Sequence, residues 1–208
     1  MSGQIEPITL VIITGMVIAL VGAAYVWGVP LIQKRTATTD FASAERFIID
    51  LDKAIIDVAN RGGGERSVVI PKGIVRMVPD ISDPLDPQYA DRNSAILEVS
   101  VDQPLVLDAT VPIRTLFLGD VGKFGEAEPR VMELEVVREG TRYRMSLKAQ
   151  YRELDTATAP LRGFRIRLNQ VGNSIATDRV VVSYGGNVRG VAANGGELTI
   201  TNINLELE

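Results

Sequence analysis

PITLVIITGMVIALVGAAYVWGVPLIQ, residues 7–33, carries no charged side chain and stands ahead of a long, strand-patterned remainder in a chain of 208 residues. As a helix, residues 8–32 span roughly 37 Å, more than the ~30 Å hydrocarbon core of a bilayer. The segment is therefore able to cross a membrane. A secretory signal is the first rival, but its apolar region is only about 7 to 15 residues and follows a basic leader. Here the run is longer and no Lys or Arg precedes it; Lys34 and Arg35 follow it instead. By the positive-inside rule, those two cations would set the C-terminal region on the cytoplasmic side, a bias that two charges exert weakly.

Glu6 and Pro7 suit a helix start, because proline at the first helical position lacks only an N–H that would be unpaired anyway. Gly15, Ala19 and Ala23 recur every four residues with Gly22 beside them. One face of the helix thus lacks bulk, which admits close approach of another helix; it also fits the ordinary composition of membrane helices. Tyr25 and Trp27 mark the distal membrane interface, where aromatic belts sit. Pro30 is tolerated in helices of this type.

Past residue 33 the pattern changes. Phe41, Ala44, Ile48, Leu51, Ile55 and Val58 alternate spacings of three and four, while Asp40, Glu45, Arg46, Asp50, Asp52, Lys53 and Asp57 fill the positions between. This predicts an amphipathic helix over 38–61. Phe47, Ile49, Ala54 and Ile56 widen its apolar face enough to cover a sheet. Arg61 and then Gly62, Gly63 and Gly64 form a basic last turn and a glycine cap. A phosphate cradle is the other use of a glycine run, but no strand precedes it and no Lys-Ser or Lys-Thr follows.

Strand alternation predicts β structure at 68–70 and 74–78 around Pro71-Lys72-Gly73, and at 97–101, 105–117, 164–168, 179–184 and 198–207, with a bulge at Thr201-Asn202. A hairpin over 130–152, folded about Glu139-Gly140, sets Val136 opposite Tyr143, Leu134 opposite Met145, Met132 opposite Leu147 and Glu135 against Arg144. The expected fold class is α+β. A short N-terminal segment (1–6) leads into one long helix (7–61), apolar over 7–33 and amphipathic over 38–61, followed by an antiparallel β-sandwich-like domain (62–208) expected to fold as a unit.

Composition narrows the chemistry. The chain has neither cysteine nor histidine, which removes thiolate metal sites, the commonest general base and every Ser-His or Cys-His pair. No enzyme activity, metal or other cofactor is expected. A net charge of −4 and an isoelectric point near 5.1 argue against a nucleic-acid partner. Asp80, Asp83, Asp86 and Asp91 share a proline-rich loop able in principle to hold calcium, but their spacing fits no EF-hand and a solvated acidic loop is the simpler reading. Gly185-Gly186-Asn187 and Asn194-Gly195-Gly196 fit hairpin turns better than ligand loops. No Asn-x-Ser or Asn-x-Thr sequon occurs.

Gly3-Gln4-Ile5-Glu6, followed by an uncharged helix, an amphipathic extension and a β domain, resembles archaeal type IV pilins and archaellins. In that family a prepilin-type peptidase cuts after glycine or alanine, often before glutamine, and a glutamate soon follows. The resemblance places the processing site at Gly3 and Gln4 and an assembly role at Glu6. It implies a structural subunit of an extracellular helical filament, membrane-inserted before assembly, which polymerises through its N-terminal helix and depends on the peptidase and an assembly machinery. Gly15, Ala19, Gly22 and Ala23 are then candidate assembly positions. The alternative is a single-pass, membrane-anchored β-sandwich accessory or binding protein of a cell-surface filament machine.

Overall fold

In the computed structural model, residues 5–79, 93–102, 113–116 and 130–208 are described. Helix α1 (Ile5–Arg61) runs unbroken through Pro30. It ends where Gly62 takes a positive φ of 62°, the left-handed cap expected from the glycine run. Strands β1 (Glu65–Val69), β2 (Ile74–Val78), β3 (Ser94–Val101), β4 (Ile113–Leu116), β5 (Arg130–Glu139), β6 (Arg142–Tyr151), β7 (Leu154–Asp155), β8 (Arg162–Gly172), β9 (Ile175–Ala176), β10 (Arg179–Val191) and β11 (Glu197–Leu207) follow. They form a five-stranded sheet, β1-β10-β11-β8-β7, and a six-stranded sheet, β4-β5-β6-β3-β2-β9. The α+β class is as expected from the residue pattern.

Both sheets and the amphipathic half of α1 share one core. Phe47, Ile48, Leu51, Ile55 and Val58 of the helix are buried with Leu97, Val99, Met145 and Leu147 of one sheet and Leu168, Val182, Ile203 and Leu205 of the other. The 3-4 spacing thus meets the inward face of two strand patterns at once. Charges occupy the opposite face of the six-stranded sheet: Arg76 to Glu98 at 2.9 Å, Arg144 to Glu139 at 3.0 Å and Lys148 to Glu133 at 2.5 Å.

Four details depart from the sequence pattern. The β5–β6 hairpin pairs Val136 with Met145, Leu134 with Leu147, Met132 with Ala149 and Glu135 with Ser146, two residues away from the predicted register. Glu139 pairs with Arg142, so Gly140-Thr141 is the turn. Gly140 has φ 64°, and a two-residue turn with glycine first needs only that one positive φ, whereas Glu139-Gly140 would have forced Glu139 toward one as well. A shift of two preserves the faces. The bulge near Thr201-Asn202 has its extra residue on β10: Tyr184 pairs with Ile203 and Gly186 with Asn202, leaving Gly185 between. Gly185-Gly186-Asn187 is therefore strand, not turn. A Cβ on Gly185 would stand 2.8 Å from Asn204 Oδ1 and 3.2 Å from Asn202 Cβ, so a larger residue would have to displace the Asn204 side chain. The strands are also not all antiparallel, because β11 runs parallel to β8.

Asp52 departs too. It falls among the polar positions of the helix by residue type, yet it is 1% exposed and accepts a hydrogen bond from the Tyr151 hydroxyl at 2.9 Å. Tyr151 is joined in turn to Asn93. The Asn93 amide donates to the carbonyls of Tyr151 (2.9 Å) and Ile166 (2.7 Å), and its Oδ1 accepts from Leu168 N–H at 2.8 Å. Asn93 thereby clamps β6 of one sheet to β8 of the other. Its φ of 54° lies in the left-handed region, which asparagine tolerates better than most residues.

Asn93→Ala leaves buried backbone groups on both sheets without their partner, and the expected loss is on the order of 3 kcal/mol or more. Tyr151→Phe should cost less, about 1 to 3 kcal/mol. Chemical denaturation of the full chain in detergent checks both, and a wild-type midpoint for Asn93→Ala would remove the clamp.

A truncated chain starting at Thr38 should unfold cooperatively in urea, while one starting at Gly64 should show no cooperative transition. The side chains lost from α1 contribute on the order of 10 kcal/mol of burial, comparable to a whole domain's stability.

Candidate membrane-spanning and assembly segment

Between Leu10 and Ile32 the large apolar side chains of α1, Val29 apart, are exposed. Leu10, Val11, Ile13, Met16, Ile18, Leu20 and Val21 are each more than half exposed, as are Tyr25 at 72% and Trp27 at 78%. Burial begins at Ala37. One continuous helix thus crosses from a fully exposed apolar half to a half docked in a core. It is long and apolar enough to span a membrane by length and composition.

The candidate positions fall as follows. Gly3 and Gln4 lie outside the described residues, and so do Asp80, Asp83, Asp86 and Asp91. Glu6 lies in the first turn of α1. Gly15, Ala19, Gly22 and Ala23 are all exposed and fall within an arc of about 100° at 3.6 residues per turn. A Cβ built on Gly15 or Gly22 meets nothing within 4 Å, so the groove along this face is open. Tyr25 and Trp27 flank the arc on its two sides.

The small face has a definite direction relative to the β domain. Eighteen residues make five helical turns, so Gly15 is in phase with Leu51, Ala19 with Ala37 and Ile55, and Gly22 with Val58. Ala37, Leu51, Ile55 and Val58 are all in the buried core. The stripe of small residues therefore continues, toward the N-terminus, the line along which the helix docks on its own sheets.

Ion pairs fringe the docked half at the surface. Lys72 reaches Asp40 at 2.6 Å, and Asp57 bonds both Arg66 (2.9 Å) and Arg61 (2.8 Å). The Arg66 hydrogen bond, supported by the charges of Arg61 and Arg66, holds the Asp57 carboxyl below its ordinary value near 3.8. A groove of about 830 Å³ lies between α1 and the edge strand β1, lined by Arg46, Phe47, Asp50, Lys53, Arg66 and Val69 among others. Charges of both signs line it, a common way of blunting a sheet edge.

Residue patterning missed the buried Asp52–Tyr151 pair. The signal was present: Asp52 lies four residues after Ile48 and three before Ile55, which is apolar-face spacing.

The chain matches no family model, no curated protein and no solved structure. Fold and segment define it as an α+β protein with one helix able to cross a membrane.

Because the folded-state carboxyl of Asp57 is lowered, its link to Arg66 contributes fully above the ordinary carboxylate value and is lost as pH falls through the lowered one. Protection factors of the amides in the last helical turn, taken relative to the intrinsic exchange rate at each pH, should therefore fall on acidification below about pH 4. Arg66→Gln should shift that onset upward. An unchanged onset would show that the clamp does not hold the helix end.

Proposed function

We propose that this chain is a structural subunit of an extracellular filament of the type IV pilus kind, without catalytic activity. The supporting observation is the division of α1: one half is built into the core, while the other exposes apolar side chains all round its circumference. Such a helix needs either lipid or copies of itself as surroundings. Assembly then transfers it from membrane to filament interior, with the β domain as the outer sheath. A heterologous contact of this kind does not close and propagates as a helix. The in-phase small stripe adds a constraint: the neighbour packed against Gly15, Ala19 and Gly22 sits on the side of the helix that carries its own β domain. Processing between Gly3 and Gln4 by a prepilin-type peptidase, and a role for Glu6 in the fibre core, follow from the resemblance.

Lys34 and Arg35, exposed just past the apolar run, favour a second reading. In it the chain remains a single-pass anchor carrying its β domain on the basic side of the membrane. Electron microscopy of full-length protein purified from a membrane separates the two. Filaments are expected, and Ala19→Leu should abolish them by blocking close helix approach while leaving the β-domain unfolding transition in place. Only discrete particles from the wild type would support the anchor, and normal filaments from Ala19→Leu would remove the stripe.

A further inference from the structure

β10 continues well past the helix that it packs beside. Asp40 meets Lys72 and Asp57 meets Arg66, so β1 runs antiparallel to α1. β10, antiparallel to β1 with Val182 opposite Arg66, therefore runs along α1 in the direction away from the apolar segment. Residues 185–191 extend it roughly 20 Å further at strand rise. The β10–β11 hairpin and the start of β8 thus form the end of the domain farthest from the segment able to span a membrane.

At this end the inner face of the five-stranded sheet is uncovered. Phe164 lies four residues before core Leu168 on the same face of β8, yet it is 49% exposed. Across the sheet it pairs with Thr199, which pairs with Arg189; the neighbouring rows bring in Asn187 and the pair Arg162–Glu197. These six residues line an open cleft of about 420 Å³. Arg189 bonds Glu197 at 3.1 Å. The guanidinium of Arg162 has no ion-pair partner among the described residues.

The rim is tied from several sides. Arg162 N–H donates to Thr156 Oγ1 at 2.8 Å, and Thr156 N–H donates to the Arg162 carbonyl at 2.8 Å. The Asn194 amide, in the hairpin turn, bonds the Thr156 carbonyl at 3.2 Å, while Ala193 N–H donates to Glu153 at 2.7 Å. Gly163 makes the close approach possible, since a Cβ there would stand 2.6 Å from that of Ala192. The backbone that carries Arg162 and Phe164 is therefore fixed by short paired elements.

We propose that this cleft binds a carboxylated sugar, as repeated in a uronate polysaccharide. Arg162 supplies a charge-assisted, bidentate partner for one carboxylate. The Phe164 ring offers a flat apolar surface to the C–H face of a pyranose, and Asn187, Thr199 and Glu197 meet its hydroxyls. Two arginines against one glutamate leave a net charge of +1, matching one carboxylate per sugar. Glu197, paired with Arg189, is held as an acceptor for sugar hydroxyls while Arg162 takes the carboxylate.

Calorimetric titration of the full chain in detergent micelles with oligogalacturonate tests the site, beside a neutral oligosaccharide of equal length and a single-stranded oligodeoxythymidine. Saturable binding of the uronate is expected, weakened about tenfold or more for the neutral sugar, for Arg162→Gln and for Phe164→Leu. Arg162→Lys, which keeps the cation but not the bidentate geometry, should fall between the wild type and Arg162→Gln. Absence of saturable uronate binding, equal loss in Arg162→Lys and Arg162→Gln, unchanged affinity in Phe164→Leu, or equally tight binding of the oligodeoxythymidine would each overturn the proposal.

Discussion

The contact on which everything else depends is the docking of residues 37–58 of α1 onto both sheets at once. Ile48, Leu51, Ile55 and Val58 are each about as buried as a residue can be, and their neighbours come from strands of either sheet. Removing the helix would open the inward faces of Leu97, Met145, Val182 and Leu205 together. Burial scales with area, so this one amphipathic stripe joins what would otherwise be two half-covered sheets. The same helix then leaves the core without a break, and its direction is set by the core it leaves. The apolar segment and the docked segment belong to one continuous helix, with no non-helical residue between them.

Polar groups specify how the layers sit. Apolar packing is tolerant of small slides, whereas a buried carboxylate or amide is stabilised only in the arrangement that satisfies it. Asp52 on the helix, Tyr151 on β6 and Asn93 just before β3 form a chain of hydrogen bonds from α1 through one sheet into the other. Each member would be unfavourable alone. Together they tie the helix, both sheets and the end of β6 to one register.

The two ends of the molecule differ in surface. At one end the helix is apolar and exposed; at the other, the extended β10–β11 hairpin lifts a cationic, aromatic cleft away from that segment. The in-phase relation between Gly15, Ala19 and Gly22 and the docked residues Leu51, Ile55 and Val58 links the two regions geometrically, because the helix that carries the small stripe has its rotation fixed by the core.

Much of this was legible in the residues. The uncharged run, the 3-4 spacing after it, the glycine cap and the α+β order follow from local periodicity, which a chain must obey wherever it folds. The faces of the β5–β6 hairpin were legible too, because alternation fixes which side each residue takes; its register was not, since a slip of two leaves every face unchanged and only the φ demanded at Gly140 decides the turn. Nothing local distinguishes Gly185-Gly186-Asn187 as a bulge from the same residues as a turn: the partner strand carrying Asn202 and Asn204 decides it. The parallel pairing of β11 with β8, the clamp at Asn93 and the meeting of Arg162 with Glu197 join residues far apart in the chain. Such contacts leave no periodic trace, because their geometry comes from the closed core and not from the chain's own repeat. The residues by themselves determined what each segment must hide from water, and the tertiary structure decided which segments hide one another.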